Sequence, residues 1–343
     1  IVNSPGNGST SFSPLLHAEW NGFTLTDLVF PTFLFVVGNS MSFSMKKYES
    51  MGQSAVFKKI LKRTAIIFLL GFLMYWYPFL DDGQLKPFSE TRVFGVLQRI
   101  ALCYMFASII LHFVKTKTAI WLSAVFLVGY HLILIGFGDL TLTGNAVLKL
   151  DKWLIGANHM YHGEGIAFDP EGLLSTLPAI VNVIIGYLAG RFIQNNGQNF
   201  ETVAKLMMFG FTLVFTGLAW DLILPINKKL WTSSFVLLTC GIDLFAIATL
   251  IYILDMKKAK SWSYFFEVFG KNTLFIYLLS ELFIITLFTI DINGESLYRW
   301  IADNIFISWS GGYVGSLLFA LWVMLTCWVV GYFMDKKGIY VKV

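Results

Sequence analysis

Long apolar runs alternate with short polar segments along the whole chain. About 20 apolar residues cross a bilayer as a helix, and runs close to this length lie at 25–45, 64–80, 93–113, 118–138, 172–193, 203–224, 231–254, 268–290 and 312–334. The runs are continuous, whereas the strands of a membrane barrel alternate, and only a helix satisfies its own backbone groups in lipid. The pattern predicts an all-α, polytopic transmembrane bundle with nine visible spans.

The composition supports this interpretation. The chain has 343 residues, of which 56% are hydrophobic and 13% are charged. A water-soluble domain of this size has no core large enough to hide so much apolar surface. The net charge of +4 comes from basic clusters between the apolar runs, which are typical of topology signals rather than of a nucleic-acid interface. We therefore expect a lipid bilayer as a partner and no nucleic acid.

The basic residues are unevenly divided between alternate connections. One set of connections carries about 16 Lys and Arg residues and the other about 7, so the positive-inside rule assigns the first set to the cytoplasm. The C-terminus is then cytoplasmic, and residues 1–24 lie outside. An odd number of spans with an outside start predicts one further helix before Ile1, which gives about ten spans in all.

The longest outer connection runs from 139 to 171. It is too polar to cross a bilayer, and loops of this length are usually functional or disordered. Its aromatic and apolar content favours an ordered cap on the outer face. We expect residues 1–343 to form one transmembrane domain that carries this cap.

Several polar side chains lie inside the spans or at their edges. A charge within hydrocarbon costs roughly 2.5–3.5 kcal/mol on insertion scales, so such residues normally face the bundle interior or a wet cavity. The pattern therefore predicts a polar chamber within the bundle, lined by members of this set: Asp27, Gln98, Arg99, His131, Asn182, Asp221, Asp243, Lys271, Asn272 and Glu281.

His17, Asp27 and Asn3 are the first candidates for chemistry. His17 heads a polar run that leads directly into the span containing Asp27. Its imidazole is a general base, an acyl-carrying nucleophile or an interfacial histidine bonded to the backbone. Asp27 either orients that ring or is a carboxylate favoured at a helix N-terminus. Asn3 is an oxyanion donor or an ordinary turn residue.

Further charged positions have two interpretations each. Arg99 within a span requires a partner, either the phosphate of a ligand or a structural carboxylate such as Asp221, Asp243 or Glu281. Asp169 and Glu171 cap the next helix or bind a cationic or sugar ligand. His159, His162 and Glu164 have spacing that resembles metal ligation, but no third helix-borne ligand accompanies them, so we expect no metal.

Taken together, these segments resemble the heparan-α-glucosaminide N-acetyltransferase family, with the resemblance covering essentially the whole chain. The segments are Asn3, the block from His17 to Pro31 with Gly38, Gly95 to Ala101, Phe168 to Gly172, Asn227 to Ser233, and Gly270 to Asn272. The block from His17 to Pro31 is the most specific of them. Bacterial members of this family are expected in the inner membrane.

The resemblance implies a membrane enzyme that moves acetyl from cytosolic acetyl-CoA to the amine of a glucosamine-type sugar on the outer side. His17 is then the active-site histidine, with Asp27 and Asn3 beside it. We expect acetyl-CoA to meet Lys59, Arg63, Gln98, Arg99 and Arg191, with the basic groups receiving its phosphates. We expect the acceptor to meet Trp20, Asp169, Glu171, Lys271 and Asn272.

Two other functions are alternatives to acetyl transfer. An amino-sugar permease would bind the same sugar without acyl transfer, and a non-catalytic scaffold would need none of the intramembrane charges. The aromatic-rich last span is either a lipid belt or the face of a homodimer.

Overall fold

A computed structural model of the chain describes residues 3–48, 50–81 and 83–341. Long helices dominate it: α1 (Val29–Ser44), α2 (Gln53–Trp76), α3 (Val96–Phe113), α4 (Thr116–Phe137), α6 (Thr176–Asn196), α7 (Phe200–Asp221), α8 (Ser233–Leu250), α10 (Thr273–Thr289) and α13 (Gly312–Lys336). Shorter helices are α5 (Ala146–Ile155), α9 (Ser263–Lys271), α11 (Leu297–Ile301) and α12 (Ser308–Ser310). The strands form two small hairpins, β1 (Leu80–Asp81) with β2 (Gln84–Leu85) and β3 (Asp291–Ile292) with β4 (Glu295–Ser296).

The helices coincide with the predicted apolar runs. Within the described residues, seven helical segments are long and apolar enough to cross a membrane. The pair α9 and α10 makes an eighth candidate, bent by 84° at the break between the two helices. The predicted all-α, polytopic membrane fold is confirmed, and a helix lies at each of the nine predicted runs.

The helix at the predicted run 64–80 differs from expectation. α2 begins at Gln53, so Lys58, Lys59, Lys62 and Arg63 lie on its N-terminal turns and not in the predicted loop. Long basic side chains place their charge at the membrane surface while their stems cover apolar neighbours. The apolar run marks only the lipid-facing part of this helix, which is why its start was misplaced.

Close packing of α1 on α6 sets the position of the first span. A methyl group added to Gly38 would lie 1.9 Å from the carbonyl oxygen of Val183, and one added to Gly186 would lie 2.0 Å from that of Phe35. Small residues let helix backbones approach this closely in membranes, where packing rather than the hydrophobic effect drives association. This contact holds the segment before α1 next to the turn that begins α6.

The long helices alternate in direction, so their connections collect at two ends. The His17 end contains residues 3–28, 77–95, 138–175, 222–232 and 290–311, including the α5 cap. The Lys271 end contains residues 45–52, 114–115, 197–199, 257–262 and 337–341, apart from the residues that are not described. The residues predicted to be functional are therefore divided between the His17 end and the Lys271 end.

Candidate active site

Asp27 is held rigidly by the turn that precedes α1. The segment Leu25–Leu28 is a 3-10 turn, and Thr24 and Asp27 form a reciprocal capping box at its start. One carboxylate oxygen of Asp27 accepts hydrogen bonds from the backbone N–H groups of Ala18 and Thr24, at 3.1 and 3.0 Å, and from the Thr24 hydroxyl at 3.0 Å. The Asp27 side chain is 1% exposed. Its carboxylate therefore has a fixed orientation with one oxygen left for another donor.

His17 supplies that donor. Its Nδ1 lies 2.7 Å from the second carboxylate oxygen of Asp27. Because an ionised carboxylate only accepts, Nδ1 carries the proton and Nε2 is left with its lone pair. The ring is 43% exposed, so Nε2 is available to a reacting molecule. The predicted pairing of His17 with Asp27 is present in the structure.

Lys228 joins this pair from the connection between α7 and α8. Its Nζ lies 2.9 Å from Nδ1 and 3.3 Å from Nε2 of His17, and 3.6 Å from Asp27. The two loops are joined by a hydrogen bond from the Gly22 N–H to the Ile226 carbonyl at 2.7 Å. The sequence indicated Lys228 only as one of the basic residues at the outer face, because nothing in a loop lysine reveals which way it points.

A cavity of about 160 Å³ opens beside the imidazole. It brings together polar, aromatic and aliphatic side chains from separate parts of the chain. Its lining consists of Asn3, His17, Thr26, Val29, Phe30, Phe33, Val96, Glu171, Lys228 and Tyr277. Three of the predicted site residues, Asn3, His17 and Glu171, therefore meet in one cavity.

Asn3 reaches the cavity because the segment that follows it is fixed to the C-terminal helices. The N–H of Gly6 donates to the carbonyl of Ser316 at 3.3 Å, and the N–H of Asn7 donates to the Ser316 hydroxyl at 3.0 Å. The hydroxyl of Tyr298 donates to the Pro5 carbonyl. The cavity thus lies between α1 and α3 on one side and the C-terminal helices on the other.

Glu171 and Asp169 belong to a second cluster, built around Arg92. The guanidinium donates to both oxygens of Asp169, at 2.9 and 2.7 Å, and to Glu171 at 2.6 Å. It also lies between the rings of Tyr75 and Tyr161, at 4.9 and 4.8 Å. Burial opposes the charge of Arg92, but the hydrogen bonds to Asp169 and the charge of Glu171 outweigh this and raise its pKa. Asp169 is fully buried in this cluster, whereas Glu171 also reaches the cavity.

Of the two predicted partners of Arg99, the structural carboxylate is wrong, and the phosphate of a ligand stays a prediction. Its Nη2 donates to the Gly172 carbonyl at 3.0 Å and to the Ser175 hydroxyl, and its guanidinium lies 4.9 Å from the centre of the Trp231 ring. Its Nε and Nη1 have no partner among the described residues. The register of α3 against the residues just before α6 directs this side chain to one backbone carbonyl and one hydroxyl, which replace the expected Asp221, Asp243 or Glu281. Asp221 instead accepts from the Ile226 N–H and Asp243 from Thr32, each at 2.6 Å.

The other predicted donor-binding residues lie along α2, α3 and α6. Gln98 is fully buried, with both side-chain polar atoms unpaired in the part of the chain that is described. Towards the Lys271 end, the Arg63 guanidinium lies 4.7 Å from the Tyr104 ring and the Lys59 ammonium 5.2 Å from the Tyr48 ring. Arg191 lies partly exposed in the last turns of α6. These side chains extend from beside the cavity towards the Lys271 end.

The remaining predicted acceptor residues are not brought to His17. Trp20 donates from its indole N–H to the Leu140 carbonyl at 2.8 Å, within the cap. Lys271 pairs with Asp335 at 2.9 Å, and Asn272 donates to the Ile339 carbonyl at 3.0 Å. Both contacts lie at the Lys271 end, a full helix length from the cavity. The Gly270-Lys271-Asn272 segment therefore joins the bend between α9 and α10 to the end of α13 and the residues after it.

The residues with spacing that resembles metal ligation have other partners. His159 Nδ1 lies 2.8 Å from the Thr91 carbonyl oxygen, and Glu164 pairs with Lys229 at 2.6 Å. Across residues 3–48, 50–81 and 83–341, no group of three His, Cys, Asp or Glu side chains is arranged to hold a metal ion.

The fold and this site define an all-helical, multi-pass membrane protein in which an accessible histidine is hydrogen-bonded to a buried aspartate beside a cavity. Residues 12–223 match the family described as heparan-alpha-glucosaminide N-acetyltransferase, catalytic. The chain belongs to this family.

Two relatives carry the same description. The chain is 28% identical over 326 residues to heparan-alpha-glucosaminide N-acetyltransferase of Mus musculus, covering 77% of this chain and 49% of the relative. It is 27% identical over 335 residues to that of Homo sapiens, covering 78% of this chain and 48% of the relative. The chain thus spans about half the length of the curated relatives it matches.

Proposed function

We propose that the protein transfers an acetyl group from acetyl-CoA to the amine of a glucosamine-type sugar, with His17 as its central catalytic residue. The observation that carries this proposal is the 2.7 Å contact between His17 and buried Asp27 at the wall of the cavity. Membership of an N-acetyltransferase family supports the reaction class. Residues 1–343 act as one catalytic domain in this proposal.

Asp27 prepares His17 for proton transfer. By accepting the Nδ1 proton, it fixes the tautomer in which Nε2 has a free lone pair. As the sugar amine attacks the thioester carbon, Nε2 takes a proton from the nitrogen and then passes it to the departing sulfur. A carbon–nitrogen bond forms, the carbon–sulfur bond breaks, and the products are the acetylated amine and the free thiol.

His17 also has the chemistry of an acyl carrier. In that route Nε2 itself attacks the thioester carbon, the carbon–sulfur bond breaks, and CoA leaves as its thiolate. The amine then attacks the acyl carbon, the bond to Nε2 breaks, and the proton lost by the amine neutralises the thiolate. The two routes differ in whether acetyl becomes covalently attached to the protein. Rapid quenching with radiolabelled acetyl-CoA in the absence of a sugar separates them, since only the carrier route labels wild-type protein and leaves His17→Ala unlabelled.

Glu171 is our candidate for binding the acceptor. Arg92 engages its carboxylate at 2.6 Å, and the side chain also lines the cavity. A carboxylate fixed in this way accepts hydrogen bonds from sugar hydroxyl groups or from an ammonium group. Asp169 supports this role through Arg92, and Asn3, which also lines the cavity, is our candidate donor to the acyl oxygen.

The donor approaches from the Lys271 end in this proposal. Lys59, Arg63 and Arg191 supply positive charge for the phosphates of acetyl-CoA there. Gln98 and Arg99 continue this path inwards with buried polar atoms that lack partners within the described chain. The larger number of basic residues at this end supports a cytoplasmic location for it and for the C-terminus, in the inner membrane of a bacterium.

Thiol release from acetyl-CoA tests the proposal. Detergent-purified protein should release free thiol at a rate that depends on added glucosamine, and mass spectrometry should find N-acetylglucosamine in equal amount. The absence of both products with glucosamine and with other amino sugars would overturn the proposal. Uptake of radiolabelled glucosamine into proteoliposomes, without use of acetyl-CoA, would establish the permease instead.

A further inference from the structure

Two consecutive lysines follow Asn227, and their surroundings differ sharply. Lys229 is paired: its ammonium donates to Glu164 at 2.6 Å and to the Glu19 carbonyl at 2.7 Å. Lys228 points the other way, towards His17, and lines the cavity. Asp27 lies 3.6 Å from its Nζ, beyond the distance of a good hydrogen bond. Asp27 and Lys228 thus form a long ion pair, which leaves the N–H groups of the ammonium available to other acceptors.

The hydrogen-bonding capacity of Lys228 is largely unused. Nδ1 of His17 carries a proton directed at Asp27, so it has no lone pair for the ammonium despite their separation of 2.9 Å. Nε2, at 3.3 Å, can accept at most one of its three N–H groups. The remaining N–H groups adjoin the cavity, next to the atom of His17 that takes the proton.

Burial makes this arrangement costly. The Lys228 side chain is 19% exposed, and an incompletely paired buried charge destabilises the folded protein. Burial lowers the pKa of Lys228, while the negative charges of Asp27 and Glu171 oppose this effect and Lys229 adds to it. Such an unfavourable arrangement is typical of a site where charge is needed during a reaction.

We propose that Lys228 is a catalytic residue whose ammonium stabilises the negative charge that develops on the acyl carbonyl oxygen. This inference rests on the proposed acetyl transfer. As the amine bonds to the carbonyl carbon, an electron pair moves onto the oxygen beside Lys228. This pair re-forms the carbonyl double bond when the carbon–sulfur bond breaks. The sulfur keeps the electrons of that broken bond, and His17 delivers a proton to it. Lys228 remains protonated throughout and exchanges no atoms.

The expected loss follows from this role. Removing one donor to a developing oxyanion costs about 10²–10³-fold in kcat in other enzymes. The Lys228→Met variant keeps most of the length of the side chain and removes its charge, so it should lower kcat by this factor with little change in KM. Lys229→Met is the matched control, and its kcat should stay within roughly threefold of wild type.

The pH dependence distinguishes a catalytic charge from a merely structural one. Lys228 acts in its charged form, so activity should fall as pH rises through its lowered pKa, below the usual lysine value of about 10.4. The titratable or charged groups that face it are Asp27, Glu171, His17, Lys229 and Tyr277. Lys228→Arg stays charged over this range. It should therefore retain measurable activity and lose it only at higher pH than wild type.

The experiment measures glucosamine-dependent thiol release by detergent-purified wild type, Lys228→Met, Lys228→Gln, Lys228→Arg and Lys229→Met from pH 6 to 10. Either neutral variant that elutes as a folded protein on gel filtration suffices. The inference is overturned if that variant keeps kcat within threefold of wild type, or if Lys228→Arg loses activity at the same basic pH as wild type. Wild type without any transfer overturns the proposed function itself, whereas active wild type beside an equally active neutral variant overturns only the role of Lys228.

Discussion

The two ends of the bundle each contain a carboxylate that accepts several hydrogen bonds, yet their settings differ. At the Lys271 end, Asp335 accepts from Lys271 at 2.9 Å, from Tyr264 at 3.0 Å and from Tyr340 at 2.9 Å. The Lys271 side chain is 38% exposed, so water solvates its ammonium group. At the His17 end, the cluster of His17, Asp27 and Lys228 adjoins a cavity and retains unused hydrogen-bonding groups.

This difference teaches how to recognise a reactive site in such a bundle. A carboxylate paired with a cation is present at both ends, so ion pairing alone does not distinguish them. What distinguishes the His17 end is that His17 and Lys228 line a cavity, where a reacting molecule can meet them. Charged and titratable groups brought together at a cavity are typical of a functional site.

The largest effect is expected for His17→Ala. Removing the imidazole removes the proposed base, which contributes roughly 10²–10⁴-fold in other enzymes, and abolishes transfer altogether if His17 carries the acyl group. The measurement is kcat for glucosamine-dependent thiol release. His131→Ala is the matched control, because His131 lies at the same end but accepts a hydrogen bond from the Trp220 indole at 2.9 Å. Wild-type activity in His17→Ala would remove the functional difference between the two ends.

Asp27→Asn should have the next largest effect. Three donors converge on one oxygen of Asp27, so the amide of the variant should place its oxygen there and turn its NH₂ group towards His17. Nδ1 must then accept, and the proton moves to Nε2, where it blocks base catalysis. We expect kcat to fall by roughly 10²–10³-fold.

Asp243→Asn is the control for Asp27→Asn. Asp243 is also a buried carboxylate, and it accepts a hydrogen bond from Thr32 at 2.6 Å. Its substitution should leave the pH dependence of kcat unchanged, whereas the altered tautomer in Asp27→Asn should change it. Equal losses of kcat in the two variants, with equal pH profiles, would mean that Asp27 serves only to stabilise the fold.

Sequence reasoning recovered the fold and the contact between His17 and Asp27. Continuous apolar runs predicted the helices because every span in lipid must be apolar and must satisfy its own backbone hydrogen bonds. The pairing of His17 with Asp27 was predictable because the two residues are close in sequence and lie where the chain enters the first span. The family resemblance drawn from these residues and the other motifs is confirmed by the match over residues 12–223.

The contacts that sequence reasoning missed are long-range. Lys228 lies 211 positions from His17, and nothing in a pair of loop lysines tells which one faces inwards. The cluster of Arg92 with Asp169 joins residues 77 positions apart, and Arg99 donates to the Gly172 carbonyl and the Ser175 hydroxyl instead of an intramembrane carboxylate. Such choices depend on helix register and on close contacts such as that of Gly38 with Val183, which leave no periodic signal.

Asp151 is a buried carboxylate that does not line the cavity, so its substitution tests whether burial alone makes a carboxylate important for activity. It lies on α5 in the cap, where one oxygen accepts from the Leu173 N–H at 3.0 Å and the other has no partner in the described chain. Burial raises the pKa of Asp151 to about 7. Since the folded protein holds this proton more tightly than the unfolded chain, the stability it contributes is lost as pH rises from about 4 to about 7.

Asp151→Asn should remove this dependence. Its Tm relative to wild type should be about 2–4 °C higher at pH 8 than at pH 5, as measured by thermal unfolding in detergent, with transfer activity retained. Asp139→Asn is the control, because hydrogen bonds from Thr141 lower the pKa of Asp139 and keep it ionised at both values. A relative Tm that is the same at both pH values would contradict the expectation for Asp151.

The smallest effect is expected for Lys271→Met, and it tests the comparison most directly. The family resemblance predicted an acceptor contact for Lys271, whereas its partner in the structure is Asp335 at the end away from His17. Exposed pairs contribute little and are screened by salt, so kcat/KM for glucosamine should stay within roughly twofold of wild type, with a small loss of Tm that disappears at high salt. A large rise in KM for glucosamine would mean that the acceptor meets both ends of the bundle during turnover. A large rise in KM for acetyl-CoA alone would instead assign Lys271 to the donor, which the basic character of that end favours.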